Sequence, residues 1–225
     1  MQALVYDVHG NLPALEAVLN DAGEVDRFIL GGDYALFGGW PRETIERLRE
    51  LPALWIRGNG ERWTADPSDT PDNPILPGAI EAARRALGAQ LVADLASLPA
   101  STVERETLIC HGSPESDVRS FFPEPAEDEP ELLAATTATR LIFGHTHLQF
   151  RRTTGTGIEL INPGSVGIPF DGDPRAAYAL VHDDGTVEPR RVAYDHQASA
   201  DRVRALGGDW GEVVARRIEQ ARPDV

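Results

Sequence analysis

Asp7, His9, Asp33, Asn59, His111, His145 and His147 are the side chains whose types and positions point to chemistry. Each closes or follows a short apolar run: ALVYD (3–7), RFILGGD (27–33), ALWIRGN (53–59), TLICHG (107–112) and RLIFGH (140–145). Two carboxylates, four imidazoles and one amide oxygen suit a pair of manganese, iron or zinc ions, and not a thiolate zinc site or a calcium loop. Functional groups in open α/β sheets gather beyond the carboxyl ends of strands, so five separate segments can converge in one crevice. Asp33 would then bridge two ions. Taken singly, each member has a plainer reading. Asp7 can be a strand end, His9 a satisfied loop histidine, and Asn59 before Gly60 a turn residue tolerating positive φ. Four of the six histidines at strand ends, beside two aspartates and an asparagine, make coincidence a poor account of all seven.

Helices must separate those strands. Leu12, Leu15, Val18, Leu19 and Ala22 follow the 3.6-residue period, with Asn11 placed to cap and Pro13 in the first turn. Pro41 to Leu51 and Gly78 to Leu98 are also helix-prone, and the alternation predicts an α/β sheet core. After Gln149 the rhythm changes to QFRRT, GIELIN, AAYALVHD and TVEPRRVAY, spaced as antiparallel strands with Asp184-Gly185 as a hairpin turn. A second, antiparallel part is expected there. The tail from Ala198 to Ala221 reads as helix interrupted at Gly207-Gly208. The Pro- and Asp-rich stretches at 66–77 and 123–130 read as surface loops, and no linker divides the chain, so residues 1–225 are expected to form one domain with a helical tail over 196–225.

Composition sets the remaining limits. A net charge of -15 argues against nonspecific nucleic-acid binding and favours divalent cations as partners. No apolar stretch approaches membrane-spanning length, and the single cysteine, Cys110, excludes an intrachain disulfide; a cytoplasmic location is expected. Cys110, next to His111, should point the opposite way into the core. The sequence does not disclose the oligomeric state.

The motifs YDVHGNLPALEAVL, LGGDYALFG, RGNGE, CHGSP, FGHTH and INPGSVGIPFDGDPRAAYAL occur in an order that resembles the calcineurin-like metallophosphoesterases. The resemblance is to their small single-domain bacterial branch of predicted phosphodiesterases and diadenosine tetraphosphatase relatives, and it spans roughly residues 1 to 195. It implies a four-layer α-β-β-α sandwich with two mixed sheets. It also implies two divalent ions, manganese first with iron, zinc, nickel or cobalt as alternatives. One ion would take Asp7, His9, Asp33 and His147; the other would take Asp33, Asn59, His111 and His145. Asp33, Asn59 and His111 would be the catalytic core, with a metal-bridging hydroxide attacking the phosphorus of a phosphodiester or phosphomonoester. A small phosphorylated substrate is expected, with nucleotides and diadenosine polyphosphates as candidates. Asn11, Arg57 and Arg62 are candidates to hold its negative charge. Trp63, Tyr34, Phe37, Phe121 and Phe122 are candidates to wall the crevice.

This chain departs from the family pattern at Gly60, where histidine or cysteine is usual. The family's histidine there is credited with stabilising the transition state or protonating the leaving group. Gly60 cannot donate a proton, and Glu61 or an ordered water is the expected substitute. A histidine restored at position 60 should help poor leaving groups if its ring fits beside Asn59. The alternative to an enzyme is a non-catalytic scaffold of the same fold.

Overall fold

The computed structural model describes residues 1–225. The first half alternates: β1 (Gln2–Val5), α1 (Leu12–Ala22), β2 (Arg27–Leu30), α2 (Pro41–Arg49), β3 (Ala53–Trp55), α3 (Asn59–Ala65) and α4 (Leu76–Ala96). The second half is β4 (Ser101–Glu104), β5 (Thr107–Cys110), α5 (Glu129–Leu133), β6 (Arg140–Ile142), β7 (Gln149–Thr153), β8 (Glu159–Pro163), β9 (Ala176–Val181), β10 (Val187–Val192), α6 (His196–Ala205) and α7 (Gly208–Gln220). Two five-stranded mixed sheets result, ordered β10-β9-β1-β2-β3 and β4-β5-β6-β8-β7.

The two-residue period of the strands decides which layer each side chain enters. In β1, Ala3 and Val5 pack under α1, α2 and the end of α4, in a core that also holds Leu15, Val18, Ile45, Leu48 and Leu91. Leu4 points the other way and meets Ile29, Ile109, Ile142 and Ile161 between the two sheets. The far face of the second sheet carries Leu108, Cys110, Leu141 and Leu160, covered by Phe121, Leu132 and Leu133 from the segment around α5. This is the expected α-β-β-α order, with a thin fourth layer made of one short helix and its flanking chain. Cys110 lies in that layer's core, and burial pushes its thiol up to about 12.

Three features depart from the sequence reading. The later strands do not form a separate antiparallel part: β7 and β8 extend the second sheet, where β8 runs parallel to β6, while β9 and β10 return to the first. The reason lies in the crossover after β8, where the Val166 N–H donates to the Tyr6 carbonyl (3.0 Å) and the Gly167 N–H to the Asp7 carbonyl (2.9 Å). That delivers β9 antiparallel to β1. Its run of small and apolar residues, buried from Ala176 to Leu180, suits a strand covered on both faces. The second departure is β4, a half-exposed edge strand antiparallel to β5 that carries too little apolar pattern to be read from sequence. Third, Gly88 at φ 76° breaks α4 within the stretch expected as one helix.

The tail forms α6 and α7, separated at the two positive-φ glycines Gly207 and Gly208. Trp210, Val214 and Ile218 of α7 pack on Trp63, Leu76 and Ile80, so the tail joins a core beside α3 and α4. No helix is long and apolar enough to cross a membrane.

Ile29 is 1 % exposed at the centre of the intersheet layer. Ile29→Ala should therefore cost roughly 2–5 kcal/mol, the range for emptying a packed aliphatic site. Chemical denaturation checks this: the midpoint should fall with an unchanged denaturant slope.

Candidate metal centre

Parallel pairing of β1 with β2 continues past the strands as loop hydrogen bonds. The Asp7 N–H donates to the Gly32 carbonyl (3.1 Å), the His9 N–H to the Asp33 carbonyl (2.8 Å) and the Gly10 N–H to the Tyr34 carbonyl (2.7 Å). Asp7 and Asp33 therefore arrive side by side. From the second sheet the Gly144 N–H donates to the His111 carbonyl (2.7 Å), which sets the His145–His147 loop beside β5. All seven sequence-predicted ligand residues converge at this one edge, and all but His145 are buried.

The loops are conformationally costly. Asp7 (φ 53°), His9 (49°), Asp33 (55°), His145 (67°) and His147 (59°) all adopt the left-handed backbone that disfavours side-chain-bearing residues. Strain of this kind costs of order 1–3 kcal/mol per residue and persists only where surrounding contacts over-determine it. The INPGSVG segment supplies several of those contacts. The Asn162 amide donates to the Gly144 carbonyl (3.1 Å) and the Thr146 hydroxyl (3.0 Å), and the Ser165 hydroxyl donates to the Asp7 carbonyl (2.8 Å).

The imidazoles are oriented by carbonyls. Nδ1–H donates to the Leu36 carbonyl from His9 (2.9 Å), to the Gly31 carbonyl from His111 (2.8 Å) and to the Ile168 carbonyl from His147 (2.5 Å). A carbonyl only accepts, so each Nδ1 carries the hydrogen and each neutral ring turns a bare Nε2 inward. His9 Nε2 then faces His147 Nε2 at 3.1 Å, lone pair toward lone pair. The Asn59 side-chain amide lies 3.0 Å from His111 Nε2 and 2.9 Å from His145 Nδ1; with its nitrogen on that side it donates to both rings, and with its oxygen there it offers a donor atom to a cation. Asp7 Oδ1 is buried without any hydrogen-bond partner. The facing Nε2 atoms of His9 and His147 and the partnerless Asp7 Oδ1 fit a cation donor set.

Two groups of potential ligands can be traced, Asp7–His9–His147 and Asp7–Asp33–His111. Asp33 turns Oδ2 toward His9 Nε2 (3.8 Å) and Oδ1 toward His111 Nε2 (3.6 Å). Asp7 Oδ1 also lies between the groups, 3.9 Å from His9 Nε2, 3.9 Å from His111 Nε2 and 3.4 Å from His147 Nε2. The sequence singled out Asp33 alone as the spanning carboxylate; the structure sets both in the middle.

Electrostatics follow from burial. Burial, then the neighbouring His147, hold His9 down at about 3; burial, then His111, hold His145 at about 3. Burial also disfavours charge on His111, yet Asp33 and Asp7 outweigh it and raise that ring above its ordinary value. Asp33 is raised, by burial first. Asp7 stays well below the usual carboxylate range because His147, His111 and His9 together outweigh its burial.

The third loop is not a turn. Gly58 caps α3, and Asn59 and Gly60 are its first helical residues. The Gly60 N–H donates to Asp33 Oδ1 (2.7 Å), and a Cβ at Gly60 would lie 2.8 Å from that same oxygen. The steric conflict expected with Asn59 thus falls on Asp33. Glu61 does not take over the missing proton donor. Its buried carboxylate accepts the backbone N–H groups of Asp33 (2.9 Å), Tyr34 (2.8 Å) and Gly58 (2.9 Å), turned away from the cluster to clamp two ligand loops together. Burial, then the charge of Asp33, push it up to about 7 against those three donors. The spacing of Glu61 three residues after Gly58 was the available signal, as half of a capping box.

The proposed anion-binding residues fare differently. Asn11 is buried and engaged: its amide donates to the Gly167 carbonyl (2.9 Å) and the Tyr194 hydroxyl (3.1 Å), while its oxygen accepts from the Ala14 N–H and the Ser199 hydroxyl. It is a helix cap and has no group left for a ligand. Arg62 is forked onto Asp117 (2.7 Å twice) and also bonds Asp69, so its charge is compensated. Arg57 donates to the Ala96 carbonyl (3.1 Å); it lines, with Arg62, a cleft of about 420 Å³ that reaches His111. Of the candidate wall aromatics, Tyr34 and Phe121 are core residues, Phe122 is half exposed, and Trp63 and Phe37 line a cavity against the cluster. Phe170, stacked on His147 with ring centroids 4.5 Å apart, was not anticipated.

Gly60→Ala and Gly60→His should each displace the Asp33 carboxylate and weaken divalent-metal binding by about 10- to 100-fold, the usual effect of disturbing a ligand's support. Metal content after dialysis measures this, and full retention by Gly60→Ala would show that Asp33 tolerates a Cβ there. A cation must displace protons from imidazole. His111 is raised above 6.5, so proton competition should begin above that value and metal affinity should fall steadily as pH decreases. In the metal-free protein the sign reverses: His111 stabilises the fold below 6.5, and this is lost as pH rises through its folded value. Calorimetric metal titrations from about pH 8 to about pH 5 check the first statement, with a flat affinity contradicting it.

The calcineurin-like phosphoesterase superfamily domain model matches residues 1–186. The chain is 27% identical over 228 residues to uncharacterized protein MJ0912 of Methanocaldococcus jannaschii, covering 90% of this chain and 91% of that one. Its structure resembles the metallophosphoesterase from Sphaerobacter thermophilus with a TM-score of 0.82 and 30% identity, covering 98% of both chains. It also shares its fold with hypothetical protein PH1004 from Pyrococcus horikoshii OT3, with a TM-score of 0.80, 22% identity and coverage of 95% and 98%. The chain, in which seven strand-end side chains converge at one edge of two mixed sheets, belongs to the calcineurin-like phosphoesterase superfamily.

Proposed function

We propose that this protein is a two-metal-dependent phosphoesterase acting on a small phosphodiester or phosphomonoester, with nucleotides and diadenosine polyphosphates as candidate substrates. The observation that carries the reading is the pairing of His9 Nε2 with His147 Nε2 around the partnerless Asp7 Oδ1, with Asp33 and His111 beside it. Asp7, His9, Asp33 and His147 would hold one ion, and Asp33, Asn59, His111 and His145 the other. Manganese is the first choice, with iron, zinc, nickel and cobalt fitting the same donors. Bound ions would supply an activated water and neutralise the phosphoryl oxygens. The chain's own contribution is to hold the donors fixed, through carbonyls on three imidazoles and Glu61 on two loops, so that little reorganisation accompanies reaction.

Gly60 favours a second reading, a non-catalytic scaffold of the same fold. No side chain is available at position 60, and Glu61 is occupied by backbone donors, so protonation of a leaving group falls to solvent. An enzyme of this kind should depend steeply on its leaving group, turning over p-nitrophenyl esters far faster than alkyl esters, because a general acid contributes about 10²- to 10⁴-fold to poor leaving groups. The manganese-loaded protein should hydrolyse bis(p-nitrophenyl) phosphate or p-nitrophenyl phosphate, and Asp33→Asn should reduce both metal content and turnover by more than about 100-fold. Stoichiometric metal without any turnover across the series would establish the scaffold. Unchanged metal content in Asp33→Asn would remove that residue from the ligand set.

A further inference from the structure

All 21 basic side chains are arginine, in a chain of net charge -15, and most of them are paired with carboxylates. Arg217 is not. It lies on α7 between Val214 and Ile218, which bury themselves against α3 and α4, and is itself half-buried. Its one side-chain hydrogen bond runs from Nε to the Pro223 carbonyl (3.1 Å), leaving both terminal nitrogens without a partner. Burial pulls its basicity below the ordinary arginine value, as expected for a cation without a counter-ion.

Arg217 shares one cavity of about 170 Å³ with His9, Asp33, Asn59, His145 and His147. The remaining wall is largely apolar, with Phe37, Trp63, Ile168 and Phe170 facing the same space. The guanidinium lies 5.9 Å from the Phe170 ring centroid, and the same ring stacks on His147 at 4.5 Å. Phe170 is therefore a common neighbour of Arg217 and a potential ligand. A cavity of this size brings an anion paired with Arg217 close to one held at the cluster.

We infer that Arg217 is a substrate-binding residue that pairs with a second anionic group, on the part of the substrate that is not attacked. The substrates favoured would be compact phosphoric esters or anhydrides whose leaving portion bears a phosphate or carboxylate close to the reacting phosphorus. This rests on the phosphoesterase reading of the cluster. It assigns to the C-terminal helix, which lies beyond the residues matched by the family domain model, the selection of substrate. A planar guanidinium with free paired N–H groups suits either oxyanion by bidentate hydrogen bonding.

Three non-hydrolysable phosphonates test the inference by binding rather than turnover: methylphosphonate with one anionic group, methylenediphosphonate with a second phosphonate, and phosphonoacetate with a second carboxylate. Calorimetric titration into the manganese-loaded protein, with metal content measured before and after, should give tighter binding of at least one doubly anionic probe than of methylphosphonate. Which of the two gains identifies the second group. Arg217→Gln should weaken that probe by roughly ten- to a hundred-fold, the effect of one charge-assisted hydrogen-bonded pair, and leave methylphosphonate within about two-fold. Arg217→Lys should recover part of the loss and guards against a merely misfolded variant. Equal affinities of the wild type for all three probes, or a loss in Arg217→Gln that is the same for all three, would overturn the assignment while leaving the phosphoesterase reading standing. Failure of all three probes to bind would remove both.

Discussion

Two aspartates and three histidines are buried at one edge of this fold, with His145 half-buried beside them and His9 Nε2 facing His147 Nε2. Burial strengthens the repulsion between the two carboxylates, which the raised basicity of His111 partly relieves and a bound cation would relieve more directly. The local architecture serves that concentration. Carbonyls of Gly31, Leu36 and Ile168 fix three rings by their outer nitrogens, and the loop backbone bends into left-handed conformations so that Asp7, His9, Asp33, His145 and His147 can face inward. A less constrained set of loops would relax outward to solvate its charges.

The constraint is met from outside the cluster. Glu61 draws three backbone N–H groups from the Asp33 and Gly58 loops onto one carboxylate, and the Asn162–Ser165 segment ties the Asp7 loop to the histidine loop across the two sheets. Both are buried and polar with their hydrogen bonds made, which rigidifies the loops, although burial still disfavours the charge on Glu61. Gly60 belongs to the same scheme. Its N–H supports Asp33 and its lack of a Cβ lets that carboxylate approach, which ties the absence of a side chain to the geometry of the ligand as well as to the loss of a proton donor.

The C-terminal helices extend this plan from fixing the cluster of potential ligands to shaping the cavity beside it. Trp210, Val214 and Ile218 anchor α7 to the α3–α4 core, and the same helix then presents Arg217 to the cavity that the ligands floor. In a strongly acidic protein, an arginine without a carboxylate beside a cluster of potential metal ligands forms a local positive counterpart to the field around it.

Much of this was legible in the chain as written. Apolar runs ending in Asp7, Asp33, Asn59, His111 and His145 identified both the strands and the residues that close on one another, because strand ends in an α/β sheet fall on one edge whatever the details of packing. Asn11 and Pro13 likewise marked the start of α1, where local capping chemistry is enough. Tertiary contacts decided the rest. The return of β9 to the first sheet depends on hydrogen bonds between Val166, Gly167 and the β1 loop, more than 150 residues apart in sequence. The engagement of Arg62 by Asp117, the saturation of Asn11, the turning of Glu61 toward backbone and the freedom of Arg217 all depend on which neighbour occupies the space opposite a side chain. Residue type and spacing determine what a group can do and which edge it reaches; whether its charge is left over for a ligand is fixed only when the fold assigns its partners.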